Sequence, residues 1–252
     1  MMKIYEEELI LRTCNCDFQG VWRPSAILEA MQEAAGAHSE LLGCGRNALL
    51  QKNTVWVLSR SEVHMEEYPG IGDRVVLQTF PMANRRWFFP RYFLFKNEAG
   101  KVLGRAGTLW VLLDVATRRM LPPGDVRALM PDNSDLTAPL GLPATVEAVP
   151  GEERLLRRHP QYSDLDVNQH VNNTRYADWA CDALGVDVMR EHCLETLLVN
   201  YDAEVRPDQE ISLRVTRSGL DYRVAGYHGD KLHFELGGRL RPRSGDRTGE
   251  KA

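Results

Sequence analysis

Helical spacing gives way to strand-like runs in the first half of the chain. Over residues 24–42, apolar residues recur every three or four positions, which predicts an amphipathic helix with Pro24 in its first turn and Gly43 at its end. Gly36, inside this helix, predicts a backbone that lies close against a flat surface such as a sheet. Runs rich in Val, Leu, Phe, Tyr and Trp follow and predict strands at 54–68, 73–80, 87–97 and 104–114.

The second half repeats this order. A helix that Asn172 or Asn173 caps and that ends at Leu184 is followed by predicted strands at 196–206, 210–218, 220–227 and 231–240. The landmarks that align the halves are Asp17, Gln19 and Val21 with Asp166, Asn168 and His170, and Glu62-Val63 with Glu204-Val205. The pattern predicts a duplicated unit in which one copy carries chemistry. A chance likeness between two helix-plus-strand units is the alternative.

A helix followed by antiparallel strands buries its apolar stripe by packing against the sheet, and two such sheets can join edge to edge. The predicted fold is therefore α+β, with two tandem units that each wrap an antiparallel sheet around a long helix. The predicted segments are a first unit over 1–117, a proline-rich crossover over 118–159, a second unit over 160–241 and a polar tail over 242–252.

Composition narrows the classes of function. The 252 residues carry a formal net charge of -4, which argues against a nucleic-acid-binding protein, and no apolar run is long enough for a membrane helix. The five cysteines are scattered without zinc or disulfide spacing, and the first residues do not form a signal peptide, so a cytoplasmic protein is expected. No motif for a metal or another cofactor is present.

The densest group of polar residues precedes the second helix. Asp166, Asn168 and His170 alternate with other residues, so an extended segment would place their side chains on one side, next to the unsatisfied amides of a helix start. This arrangement suits attack on a carbonyl group; an elaborate turn and helix cap is the alternative. Glu204, predicted to lie within a strand, is either a second reactive group or a solvent-facing side chain. Cys181 is better interpreted as a core thiol than as a nucleophile.

The run from Asp164 to Asn173 resembles the active-site run of plant and bacterial acyl-acyl-carrier-protein thioesterases. Further similarity lies in Gly72-Asp73, in Asn84-Arg85-Arg86-Trp87 with Arg91, and in the segment from Trp56 to Arg60. The resemblance covers roughly 4–240 of the chain. It implies a double hotdog fold and hydrolysis of an acylated carrier protein to a free fatty acid in lipid metabolism.

The resemblance also implies which residues react. Asp166, Asn168, His170 and Glu204 match the catalytic set of the family, whereas Val205 replaces a family cysteine, which argues against a thiol nucleophile. In one mechanism Glu204 activates water and His170 orients it; in the other Asp166 attacks the thioester and forms a mixed anhydride. Amides near Asn172 and Asn173 are the expected oxyanion site.

The implied partners are an acidic carrier protein and a fatty acyl chain. Candidate carrier-binding residues are Arg85, Arg86 and Arg91, with a second basic cluster at Arg154, Arg157 and Arg158. Candidate acyl-binding residues are Trp56 and Met31, with Leu58 and Ala35 beside them. Alternatives are an acyl-coenzyme A thioesterase, a hotdog hydratase and a non-catalytic acyl-binding module. The duplicated unit imitates a dimer, so a monomer or a homodimer is expected.

Overall fold

The structure, a computed structural model, describes residues 2–243. Its helices are α1 (Pro24–Leu41), α2 (Arg46–Leu50), α3 (Arg175–Leu184) and α4 (Val186–Glu191). The strands of the first half are β1 (Tyr5–Ile10), β2 (Thr54–Met65), β3 (Arg74–Pro81), β4 (Phe89–Lys96), β5 (Val102–Asp114) and β6 (Met120–Leu121). Those of the second half are β7 (Arg154–Arg158), β8 (His192–Leu194), β9 (Thr196–Tyr201), β10 (Ile211–Ser218), β11 (Asp221–His228) and β12 (Lys231–Pro242).

One 12-stranded antiparallel sheet runs through the molecule in the order β1-β3-β4-β5-β2-β9-β12-β11-β10-β7, with β6 on β5 and β8 on β12. The order is symmetric about the β2–β9 junction, so each half contributes an equivalent sheet. The halves join edge to edge through pairs that run from Arg60↔Asn200 to His64↔Thr196. The predicted pair of tandem helix-and-sheet units is confirmed.

The two longer helices pack against the sheet, α1 on β3 and β1 and α3 on β12 and β10. The main core includes Ile27 and Met31 of α1, Trp179 of α3, Phe93 of β4 and Phe234 of β12, each at most 2% exposed. Full burial of a large apolar side chain contributes about 2–3 kcal/mol. The core therefore spans both halves and holds the two helices against one continuous sheet.

The second helix differs from the first in one respect. Gly185 has a φ of 102° and separates α3 from α4, whereas Gly36 stands at the corresponding place inside the continuous α1. The expectation for Gly36 is wrong, because a Cβ built there would have no atom within 4 Å. Neither glycine marks a close approach to the sheet, and a break occurs only in the second copy.

The predicted crossover and tail are shorter in the structure. Residues 154–158 form β7, which pairs with β10 as β1 pairs with β3, and residues 120–121 and 124–129 form β6 and a short 3-10 helix. Pro242 ends β12, and Arg243 pairs with Asp17 at 2.7 Å. The rest of the predicted tail, 244–252, lies outside the described residues.

Within the part of the chain that is described, no helix combines the length and apolar character needed to cross a membrane.

Candidate active site

Asp166 organises the turn that precedes α3. Its Oδ1 accepts the N–H groups of Asn168 at 2.8 Å and His170 at 3.4 Å, and its own N–H donates to the His170 carbonyl at 2.9 Å. The N–H of Gln169 closes the turn on the Asp166 carbonyl at 3.0 Å, and Gln169 has a φ of 62° in the left-handed region. The Asp166 carboxylate is therefore engaged in holding the backbone that presents His170.

The first half contains the same turn. Asp17 Oδ1 accepts the N–H groups of Gln19 at 2.9 Å and Val21 at 3.2 Å, and Asp17 N–H donates to the Val21 carbonyl at 2.8 Å. Gly20, with a φ of 73°, stands where Gln169 stands in the second half. The landmark that aligned Asp17 with Asp166 is confirmed, and Val21 occupies the place of His170.

Glu204 lies beyond the end of β9 in an irregular segment, so its predicted place within a strand is wrong. The chain leaves the ladder because the N–H groups of Asp202 and Ala203 both donate to the His233 carbonyl at 2.9 Å. His233 Nδ1 in turn donates to the Glu204 carbonyl at 2.9 Å. Burial lowers the pKa of His233, and the hydrogen bond to the Glu204 carbonyl opposes this shift only in part.

The turn and this segment bring the two reactive candidates together. His170 Nε2 is 3.6 Å from Glu204 Oε2, and the side chains are 27% and 39% exposed. Glu204 Oε1 also forms an ion pair with Arg118 from the turn between β5 and β6. A histidine and a carboxylate are thus held side by side at a solvent-accessible place, a pair suited to moving a proton to and from water.

Among the described residues, the first half has no such pair at the equivalent place. The Val171 N–H donates to the Val205 carbonyl at 2.9 Å, and the matching bond in the first half joins the Trp22 N–H to the Pro69 carbonyl at 2.9 Å. Tyr68 therefore takes the place of Glu204. The predicted equivalence of Glu62 is wrong, since that residue lies inside β2 and its carboxylate contacts His64 at 2.6 Å.

The hydrogen bonds at the start of α3 reduce the number of groups that could form the predicted oxyanion site. The Asn172 N–H already donates to the Asp164 carbonyl at 2.8 Å, and Asn172 Oδ1 accepts from the N–H and hydroxyl of Thr174 at 3.0 and 2.9 Å. The N-cap of α3 is Thr174, so the predicted cap at Asn172 or Asn173 is wrong by one or two residues. Asn172 instead holds Thr174 from the preceding turn, and its backbone N–H is not available to a substrate oxygen. Asn173 lines an internal cavity, and its buried Oδ1 has no hydrogen-bond partner among the described residues.

This cavity lies between α1 and the sheet at the junction of the halves. It measures about 10 Å³, room for a single water molecule. Its walls are Leu28, Met31, Gln32, Leu58, Ser61, Phe93, Thr108, Trp110, Asn173 and Tyr201. Met31 and Leu58, two of the candidate acyl-binding residues, thus line the same cavity. Trp56 packs elsewhere: its ring meets Phe89 edge-on at 4.9 Å, and its Nε1 donates to the Cys44 carbonyl at 2.9 Å.

The candidate carrier-binding arginines separate into two environments. Arg85 and Arg86 are exposed on the turn between β3 and β4, and neither forms an ion pair within residues 2–243. Arg91 is only 5% exposed, so its assignment to a docking surface is wrong. Its Nη1 donates to His38 Nδ1 at 3.0 Å and to Thr79 Oγ1 at 3.2 Å, and burial lowers its pKa to about 10.

The second basic cluster is already engaged. Arg154 donates to the Ala183 carbonyl. Arg157 pairs with Glu210 at 3.1 Å and Arg158 with Asp182 at 3.2 Å. These side chains stabilise the second unit and offer less free positive charge than Arg85 and Arg86.

A thiol mechanism finds no support in the site. Burial, with Asp178 and Asp182 nearby, raises the pKa of the Cys181 thiol well above its ordinary value, and a thiol that does not ionise is a poor nucleophile. All five cysteines are free. Over residues 2–243 no three or more His, Cys, Asp or Glu side chains gather in a way that could hold a metal ion.

Two residues of the site have no marker in the sequence. The sequence places Arg118 in the predicted proline-rich crossover. Its contact with Glu204 depends on how the two halves join. His233 occupies a buried position in β12 where the alternation of the strand predicts only packing. Both act on Glu204, one through the carboxylate and one through the backbone.

Two family models match the chain. The model of the acyl-ACP thioesterase N-terminal domain, where ACP is acyl carrier protein, covers residues 2–127, and that of the acyl-ACP thioesterase C-terminal domain covers residues 149–236.

The names of curated relatives give the same activity as the two family models. The chain is 32% identical over 205 residues to a chloroplastic palmitoyl-acyl carrier protein thioesterase of Gossypium hirsutum, a match over 76% of this chain and 50% of the relative. It is 27% identical over 224 residues to a chloroplastic oleoyl-acyl carrier protein thioesterase of Coriandrum sativum, over 82% of this chain and 61% of the relative. The chain thus spans only 50% to 61% of the length of these relatives.

A solved structure shares the fold. The crystal structure of an acyl-ACP thioesterase from Bacteroides thetaiotaomicron matches with a TM-score of 0.85 at 22% sequence identity, covering 94% of this chain and 98% of that one. The double hotdog architecture predicted from the sequence is therefore confirmed.

Proposed function

Because the chain belongs to the acyl-ACP thioesterase family, we propose that it hydrolyses the thioester of an acylated carrier protein and releases a free fatty acid. The observation that carries this proposal is the pair of His170 Nε2 and Glu204 Oε2, 3.6 Å apart, in the second half. The first half has Val21 and Tyr68 at those places. We therefore assign the reaction to the second half.

Water is the attacking group in the proposed mechanism. Glu204 Oε2 takes a proton from a water molecule that His170 orients, and the water oxygen bonds to the thioester carbonyl carbon. The carbon–sulfur bond then breaks, and the proton held by Glu204 goes to the departing sulfur. The products are a fatty acid and the free thiol of the carrier.

The alternative, attack by Asp166, fits the geometry less well. Asp166 Oδ1 already accepts two backbone N–H groups, and Oδ2 lies 3.4 Å from Asn168 Nδ2. Asp17 makes the same two backbone bonds in a half that has neither the histidine nor the glutamate. A carboxylate with the same contacts in an unreactive copy is required for the turn itself, so we assign Asp166 and Asn168 to positioning His170.

The acyl chain is proposed to enter the cavity beside α1. Tyr201, in its wall, is three residues before Glu204 in the chain, and Asn173 lies between the His170 turn and the start of α3. Asn173 also supplies the remaining candidate amide for the thioester oxygen. Because the cavity holds about one water molecule, chain binding requires side chains such as Met31 to move, and an unbranched thioether adapts readily.

The carrier is proposed to dock on the surface formed by Arg85, Arg86 and Trp87. This surface carries two arginines without an ion pair in the described chain and an indole that is 43% exposed. Phe89 pairs with Trp110, and β5 continues from there to Asp114, so the surface lies at the same end of the sheet as Arg118 and Glu204. An acidic carrier suits unpaired arginines because opposite charges favour its approach.

The test of the proposed function is thiol release from a panel of acylated carrier proteins, with the matching coenzyme A esters alongside. Release from carrier substrates supports the proposal and identifies the preferred chain length. Release from coenzyme A esters alone would overturn the substrate, and acyl binding without release from either class would contradict hydrolysis altogether.

A further inference from the structure

Glu204 needs a partner that fixes its carboxylate. It lies outside regular structure, and His170 at 3.6 Å is too far away for a hydrogen bond that would orient it. His233 holds only the backbone of this segment. Within residues 2–243, the single Lys or Arg that forms an ion pair with Glu204 is Arg118.

Arg118 is itself held in place by the turn between β5 and β6. Its N–H donates to the Asp114 carbonyl at 2.9 Å, while the Asp114 carboxylate accepts the N–H of Thr117 at 2.7 Å and the amide of Asn53 at 3.0 Å. These bonds lower the pKa of Asp114, which keeps the carboxylate charged. Arg118 has a φ of 58°, an unfavourable conformation for a residue with a side chain. Such an outlier motivates a search for a role.

We propose that Arg118 is a positioning residue for the hydrolysis proposed above: it holds Glu204 Oε1 so that Oε2 faces His170 and the attacking water. The first half of the molecule then contributes to the reaction, through a residue that follows its last long strand. An ion pair fixes one carboxylate oxygen and leaves the other free to accept a proton.

The contribution of this pair to folding is expected to be small. Arg118 and Glu204 are 54% and 39% exposed, and exposed ion pairs contribute at most about 1 kcal/mol. Variants at Arg118 should therefore fold, and a change in their activity reports on the site. Arg119 is the matched control, because it is the next residue in the chain and its side chain forms no ion pair among the described residues.

The experiment compares Arg118→Gln, Arg118→Lys, Arg119→Gln, Glu204→Gln and the double variant Arg118→Gln/Glu204→Gln with an acylated carrier as substrate. We expect Arg118→Gln to lower kcat about tenfold with little change in KM, because misplacing a reacting group lowers the rate of the chemical step. Arg118→Lys should recover much of the loss, and Arg119→Gln should match the wild type. In the Glu204→Gln background, Arg118→Gln should cause no further loss, because its effect passes through Glu204.

Two kinetic outcomes would overturn the proposal. Equal activity of Arg118→Gln and Arg119→Gln would show that Arg118 has no role, and additive losses in the double variant would show that Arg118 acts on the substrate directly. An inactive wild type is a different result, which contradicts the proposed function. In that case, crystal structures of the Arg118→Gln and Arg119→Gln proteins test the inference. The inference requires that the Glu204 carboxylate is displaced in Arg118→Gln and stays in place in Arg119→Gln. A Glu204 carboxylate that is unmoved in both proteins overturns it.

Discussion

At the scale of single residues, the molecule contains its own control for the reactive turn. Asp17 and Asp166 accept equivalent backbone N–H groups, but only the second turn presents a histidine. The comparison separates what the turn needs from what the reaction needs. It supports the proposal that the aspartate serves the turn and that His170 and Glu204 carry the reaction.

Replacing the aspartates tests this assignment. Asp166→Asn keeps an oxygen that accepts both N–H groups, so we expect kcat/KM to fall less than about tenfold, whereas loss of a nucleophile costs several orders of magnitude. Asp17→Asn, the matched change in the first half, should leave activity unchanged. Steady-state kinetics of both variants measure the difference, and an Asp166→Asn protein as inactive as a Glu204 variant would restore Asp166 as the nucleophile.

The residue types of the site could be predicted from the sequence, but their partners could not. Asp166, Asn168 and His170 are marked by their spacing, and Glu204 by a carboxylate among apolar residues. Arg118 and His233 meet Glu204 only through long-range packing. For Arg91, the sequence predicts the wrong environment. Its nearness in the chain to Arg85 and Arg86 predicts a surface position, but its side chain is buried in the core.

At the scale of the elements, α1 is attached to β3 and β4 by buried polar contacts. His38 of α1 is 0% exposed, accepts from Arg91 and contacts the Met2 carbonyl at 3.1 Å. Burial and the neighbouring Arg91 lower the pKa of His38 to about 4 from the ordinary 6.5. The native protein therefore holds this ring neutral under conditions in which the unfolded chain would protonate it.

The free energy of unfolding should reflect this. As the pH falls from 6.5 towards about 4, the unfolded state gains a proton at His38 that the folded state does not, so the protein loses stability. Between about pH 8 and pH 4.5, this contribution is on the order of 2 kcal/mol. Urea unfolding at both pH values should show a smaller loss in His38→Gln than in the wild type. The exposed His228→Gln serves as the control, and the same pH dependence in all three proteins would contradict this account.

The pattern of the long elements was predictable because each one is strongly periodic. The strands β2 to β5 and the helix α1 lie where apolar spacing places them, within a few residues. The edge strands β1 and β7 were not predicted. Their sequences, Tyr5–Ile10 and Arg154–Arg158, are dominated by charged residues, and only pairing with β3 and β10 makes them strands. Charged side chains on edge strands also discourage pairing with other chains.

At the scale of the whole molecule, the two halves are joined by a continuous sheet and share a core, while their assigned tasks differ. The second half presents His170 and Glu204, and the first supplies most of the cavity wall and the exposed surface of Arg85, Arg86 and Trp87. The sequence repeat predicts the duplication. It cannot predict that Arg118 contacts Glu204 of the other half, because that contact depends on how the halves join.

Reversing charge on the docking surface tests the assignment of the carrier. In the double variant Arg85→Glu/Arg86→Glu we expect KM for an acylated carrier to rise about tenfold, because like charges now oppose docking, with kcat/KM for a small acyl-pantetheine unchanged. Arg217→Glu, on the far end of β10, is the control and should behave as the wild type. Kinetics at low and high salt complete the test, and an unchanged KM for the carrier would place docking elsewhere.

The central claim is that Glu204, beside His170, activates the water that cleaves the thioester. The most direct measurement is single-turnover thiol release from an acylated carrier by the wild type, Glu204→Gln and Asp208→Asn, the last a nearby exposed carboxylate on the same segment. The account predicts a loss of at least about a hundredfold in Glu204→Gln and none in Asp208→Asn, since general-base catalysis contributes that much or more. Release by Glu204→Gln at the rate of the wild type would contradict it.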